Sequence, residues 1–129
     1  MSGPLARPIL AALQTRQAEV EAFIQSLVEV ESPSGDMDGS RAVVDLLAQA
    51  AGKLPCVDAI ERVDVPDFGQ HLVIKAFQKQ NQQQVLMVGH TDTVHSLGSL
   101  SERPWRREAG KIYGPGIFDM KANCALAIF

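Results

Sequence analysis

Aromatic residues are scarce in this chain, with five Phe, one Trp and one Tyr, and none interleaves with a basic patch in the manner of a nucleic-acid surface. Cysteine is scarcer still. Cys56 and Cys124 lie far apart, form neither a metal-ligand spacing nor a disulfide framework, and read as buried small hydrophobes. Charge of one sign is also missing: acidic and basic residues are interspersed and the net charge is −3, so a nucleic-acid partner is not expected. No apolar run approaches membrane-spanning length, and the N-terminus from Met1 to Pro8 lacks a charged region followed by an apolar core. The expectation is therefore a cytoplasmic protein with no membrane association. No segment repeats at a fixed period, which excludes solenoids and propellers. What remains is a chain of 129 residues and 46% apolar content, globular in composition and long enough for one domain.

Its organising stretch is Val85 to Val94. Val85, Leu86, Met87 and Val88 read as a buried strand that runs into Gly89, His90 and Asp92. The continuous apolar run predicts a central strand covered on both faces. Ligands collect at the carboxyl ends of such strands, where loops present polar side chains above an apolar floor. In an extended backbone residues i and i+2 point the same way, about 6 to 7 Å apart, so Asp92 can support His90. A metal-binding imidazole takes an acceptor on its other nitrogen, and a carboxylate is a frequent choice.

The rest of the chain supplies the elements of an α/β fold. Apolar positions at three- and four-residue steps predict one amphipathic helix from Ile9 to Val30. Ser32-Pro33-Ser34-Gly35 breaks it. A second helix is predicted from about Gly39 to Ala51, capped by Asp36 or Asp38 and followed by Gly52. Strands are predicted near 56–65 and 71–77, joined by the turn chemistry of Pro66-Asp67-Phe68-Gly69, and near 85–90 in the same sheet. The glutamine-rich stretch from Gln78 to Gln84 reads as the turn into the last of these. His71 reads as a strand-edge residue and His95 as a loop residue. Arg103, Arg106 and Arg107 could hold an anionic substrate, but beside Glu102 and Glu108 they read as a solvated strand face. From Lys121 to Phe129 an Ala-rich helix, apolar all round, is expected to end without a cap.

Two separated signals combine: His90 and Asp92 at a strand end, and Asp119 where a Gly-rich turn meets a helix. Gly89-His90-Thr91-Asp92-Thr93-Val94, followed by Gly110-Lys111-Ile112-Tyr113-Gly114-Pro115-Gly116-Ile117-Phe118-Asp119-Met120-Lys121, resembles the M20 family of zinc-dependent metallopeptidases and amidohydrolases. The resemblance runs from the Ser32–Gly35 loop to the last residue. It implies that His90 is a zinc ligand, that Asp92 orients it, that Asp119 bridges two zinc ions, and that the peptide after Asp119 is cis. It also implies a peptide or N-acyl amino acid substrate attacked by zinc-activated water, chemistry that suits imidazole and carboxylate ligands.

The spelling Gly114-Pro115-Gly116-Ile117 is similar to that of the branch of glutamate carboxypeptidases. A deacylase, desuccinylase or dipeptidase of the same family is the alternative parent that the resemblance allows. Where many members carry a Gly-Gly pair after Asp-x-Lys, this chain has Ala122-Asn123. The family's general-base glutamate, its remaining zinc ligands and its inserted dimerisation domain have no counterpart in residues 1–129. The expected architecture is the N-terminal portion of a zinc-exopeptidase-like catalytic domain, with helices on a mixed sheet. The expected parent is a homodimeric enzyme, and a non-catalytic binding module is the reading of a different class.

Overall fold

A computed structural model describes residues 5–79 and 83–129. Part of the glutamine-rich turn expected at 78–84 lies outside the described residues. The chain is α/β, built from helices and small antiparallel sheets. It opens with α1 (Ala6–Thr15) and α2 (Gln17–Val28), where the sequence predicts a single helix. The break falls at Arg16 (φ −104°, ψ 9°). Thr15 Oγ1 donates to the Ala12 carbonyl at 2.7 Å, the side-chain-to-backbone competition that disfavours Thr inside helices. Arg16 then clasps Glu19 with two bonds of 2.9 Å. The break has a consequence for burial. α1 buries no residue, whereas α2 buries Val20, Ile24, Leu27 and Val28 along one stripe.

α3 (Met37–Ala51) begins at Asp36, whose Oδ2 accepts the Gly39 N–H at 3.1 Å, so Asp36 rather than Asp38 is the cap. It buries Val43, Val44, Leu47, Ala48 and Ala51. β1 (Val57–Val65) and β2 (Gly69–Ala76) form an antiparallel hairpin in which Val65 pairs with Gly69 and Val57 with Ala76. Asp67, at φ 67°, closes the turn, a conformation that Asp tolerates better than most residues. The hairpin packs through β2 on α3. Gly69 sits at that junction with φ 101°, and a Cβ there would lie 2.3 Å from Ser40 Oγ. That hydroxyl accepts the Gln70 N–H at 3.2 Å.

A short helix, α4 (Ser99–Glu102), precedes the ribbon β3 (Arg106–Glu108) and β4 (Lys111–Tyr113). An irregular turn over Ile117–Lys121 then leads into α5 (Ala122–Leu126). The core lies between α2, α3 and α5, with Leu27 and Ala125 fully buried. Leu72, Trp105, Ile112, Ile117 and Phe129 pack around it. Among the described residues no helix is long and apolar enough to cross a membrane.

The predicted central strand is absent. Residues 85–92 form no regular structure, and Val85, Leu86 and Val88 are 88%, 86% and 81% exposed. The reason is that a run of β-formers specifies a strand only where a neighbour offers backbone groups and apolar cover. Here β1 and β2 pair only with each other, β3 pairs with β4, and the helices bury their stripes elsewhere. The helix predicted to fill 121–129 is also shorter, because the chain turns after Leu126, with the Ile128 N–H bonded to the Ala125 carbonyl.

The close approach at Gly69 yields a prediction. Gly69→Ala combines an unfavourable positive φ with a Cβ inside contact distance of Ser40, and should destabilise the chain by about 2 kcal/mol or more. The midpoint of urea unfolding would measure this. Gly35→Ala, also at positive φ but with open space around its Cβ position, should cost less.

Candidate functional site

The site is assembled without a sheet. The loop after α2 runs alongside residues 91–93, joined by the Thr93 N–H on the Ser32 carbonyl at 2.8 Å and the Ser34 N–H on the Thr93 carbonyl at 3.1 Å. This is an isolated parallel bridge between Pro33 and Thr93. Ser32 Oγ adds a bond to the Thr91 carbonyl at 2.8 Å. The other side of the site comes from the Ile117–Lys121 turn, which presses on the same segment. A Cβ at Gly116 (φ 73°) would lie 2.4 Å from Thr93 Cγ2, and one at Gly89 would lie 3.0 Å from Met120 Cε. Glycine at 116 thus permits both the left-handed turn and the close approach.

The three residues singled out from sequence meet here. His90 Nδ1 lies 3.0 Å from Asp92 Oδ1 and 3.0 Å from the Asp92 carbonyl oxygen. Its Nε2 lies 2.9 Å from Asp119 Oδ1. Asp119 and Met120 have non-helical backbone angles within the turn, and their peptide bond is cis, as the resemblance implies. Cys124 Sγ donates to the His90 carbonyl at 3.3 Å, which ties α5 to the histidine. With a carboxylate on each nitrogen, the imidazolium is favoured: the bond to Asp119 raises the His90 pKa most, and the Asp92 carbonyl and both carboxylate charges add to it against burial.

Further residues at the site gave no sign of these roles in the sequence. Ser34 Oγ donates to Asp92 Oδ2, and this bond is the largest cause of a lowered Asp92 pKa, ahead of His90. Glu31 Oε2 and Oε1 accept the Gly98 and Leu100 N–H groups, each at 2.8 Å, and so fix the loop that leads away from the site. Lys121 is 1% exposed and donates to the Val30 carbonyl, while burial pushes its pKa down to about 8. Ser34 belongs to the Ser32–Gly35 loop at which the resemblance begins, but only the fold brings that loop to Asp92. His71 is exposed on β2 and takes no part. His95 and Arg103 stand beside the site and contact each other at 3.3 Å. A cleft of about 400 Å³ beside the ends of the β1–β2 hairpin is lined by Pro55, Cys56, Asp58, Phe77 and Lys79 and contains none of the site residues.

The donor set can be tested against zinc. Two ligands each about 2.0–2.1 Å from a tetrahedral ion stand roughly 3.3 Å apart. The 2.9 Å between His90 Nε2 and Asp119 Oδ1 is close to that span, and Asp92 on Nδ1 supplies the usual outer partner. The donor types of these residues suit zinc, while the spacing of Nε2 and Oδ1 is that of a hydrogen bond. Among the described residues no group of three or more His, Cys, Asp or Glu could complete a metal site.

No family model matches the chain. Carboxypeptidase G2 from Pseudomonas sp. (strain RS-16) is 28% identical over 120 residues, which cover 93% of this chain and 29% of that protein. The chain thus spans under a third of the length of the curated relative it matches, and its similarity is to a peptidase.

Two predictions follow from the clasps. Ser34→Ala removes the main cause of the lowered Asp92 pKa, so the Asp92 carboxyl should titrate at higher pH in the variant when followed by carbon-detected NMR. For Glu31, the Gly98 and Leu100 N–H bonds, with lesser help from the Lys121 charge, hold its pKa down against burial. A carboxylate lowered on folding contributes stability that is present above its unfolded value of about 4.3, and this is lost as pH falls through the lower folded value. Glu31→Gln should therefore unfold more easily at neutral pH than the parent, with the difference shrinking in acid. Amide exchange at Gly98 and Leu100 should accelerate at neutral pH.

Proposed function

We propose that this chain is part of a zinc-dependent hydrolase of peptide or amide bonds, acting as a carboxypeptidase that releases a C-terminal amino acid such as glutamate. The observation that carries the reading is His90, held on Nδ1 by Asp92 with Nε2 turned to Asp119. The similarity to Carboxypeptidase G2 supports the same reading, and the Gly114-Pro115-Gly116-Ile117 spelling supports the choice of substrate. His90 and Asp119 would hold zinc, which when bound supplies Lewis-acid polarisation of the scissile carbonyl and activation of water. Asp92 would accept a hydrogen bond from Nδ1–H, so that Nε2, once it gives up its proton, is the nitrogen that faces the ion. Ser34 in turn holds Asp92. Cys124 steadies the His90 backbone.

Catalytic zinc sites use about three protein ligands and a water, while the described residues bring two together. The 129-residue chain by itself should therefore bind zinc weakly and turn over no substrate, whereas the full-length gene product should hydrolyse an N-acyl-glutamate. Calorimetric zinc titration and a hydrolysis assay of both proteins, each beside its His90→Ala variant, make the test. Turnover by the 129-residue chain that His90→Ala abolishes would show that two ligands suffice. Activity of the full-length protein that survives His90→Ala would remove His90 from the site.

A further inference from the structure

The arginines of this chain fall into two groups. Arg16, Arg41, Arg62, Arg106 and Arg107 each face a carboxylate, with Arg107 turned to Glu21 at 3.1 Å. Arg103, like Arg7, has no such partner among the described residues. With Arg106 it lines a cleft of about 220 Å³ whose other walls are His95, Tyr113, Gly114 and Pro115. The sequence pattern reads these arginines as one solvated strand face, and Arg106 and Arg107 are indeed exposed on β3, but Arg103 and Arg106 also line this cleft.

We propose that the cleft is a subsite for a carboxylate group. Both guanidiniums are held in place before any ligand arrives. Arg106 Cζ lies 4.2 Å above the centre of the Tyr113 ring, a cation–π seat that orients its plane. Arg103 Nη2 lies 3.3 Å from His95 Nδ1. Arginine can only donate, so Nδ1 is the acceptor in this contact. The charge balance selects the anion. Glu108 Oε2 lies 3.7 Å from Arg106 Nε and offsets one positive charge, so the two arginines leave an excess of one. That matches a carboxylate better than a phosphate dianion, and a planar guanidinium can grip a carboxylate through two parallel bonds. The volume is roughly that of seven waters at about 30 Å³ each, enough for a short acidic side chain.

The two chain segments that line the cleft also carry the candidate metal centre. His95 follows Asp92 on one segment, and Gly114-Pro115 leads to Asp119 on the other. The two segments touch at Thr93 and Gly116. Resting on the hydrolase reading above, the carboxylate is one carried by the substrate whose scissile bond lies at His90 and Asp119, so the preferred substrates are acidic. Binding of a carboxylate does not itself depend on that reading.

The test uses the 129-residue chain with glutarate as the probe, titrated by calorimetry and by NMR of the arginine side chains. Glutaramide and inorganic phosphate serve as comparison arms. Glutarate should bind saturably and more tightly than either. Arg103→Gln and Arg106→Gln, each confirmed as folded by its amide spectrum, should weaken binding by about tenfold or more. Equal binding of glutarate and glutaramide, tighter binding of phosphate, or glutarate binding unchanged in folded Arg103→Gln would each overturn the proposal. Arginine-dependent glutarate binding supports the subsite even if the full-length protein hydrolyses no N-acyl-glutamate, a result that would count against the hydrolase reading alone. Hydrolysis by the full-length protein, together with Arg103-independent glutarate binding, would overturn the subsite alone.

Discussion

The parallel contact between the loop after α2 and residues 91–93 holds the site together. Two backbone bonds and the Ser32 hydroxyl join these strands of chain, and Ser32 and Thr93 are both buried, at 1% and 5% exposure. Buried backbone groups must be paired, and here each segment satisfies the other. His90 and Asp92 depend on this contact because the apolar run before them is largely exposed. Their position is set from the C-terminal side, by a loop anchored to the buried end of α2 at Leu27 and Val28.

The Ile117–Lys121 turn is held to the same loop by a buried charge. Lys121 reaches the Val30 carbonyl from inside the core, and burial depresses its pKa to about 8. Removing an ammonium from water is costly unless hydrogen bonds or opposite charge compensate it. The Val30 carbonyl supplies one bond and Glu31 a favourable field. With Lys121 turned inward, Asp119, two residues earlier, stands exposed on the turn with its carboxylate on His90. Glu31 binds the loop that follows the site. Residues 30–34 thereby contact the segment of His90 and Asp92, the loop that follows it and the turn that carries Asp119.

Much of this fold was legible along the chain. The α2 and α3 stripes, the cap at Asp36 and the hairpin turn around Asp67 all follow from local chemistry, and the structure realises each within a few residues. The break at Arg16 was less visible, since the apolar period runs through it and only Thr15 and the Arg16–Glu19 clasp oppose it. Val85–Val88 misled for a different reason. Its composition is that of a central strand, but a ladder is a property of two strands, and no neighbour for it lies among the described residues.

The sequence by itself determined which residues can do chemistry: His90 and Asp92 at a spacing that lets one support the other, and Asp119 in the motif that resembles a zinc hydrolase. It also determined the amphipathic faces, because helical period and turn preference are local properties of adjacent residues. Only the tertiary structure decided that Ser34 would hold Asp92, that Lys121 would be buried and that Arg103 and Arg106 would face one cleft while Arg107 turned away. Each of those contacts joins residues distant in the chain or separates near neighbours by direction. Such choices follow from which buried groups must find partners, and that is settled only when the segments have packed.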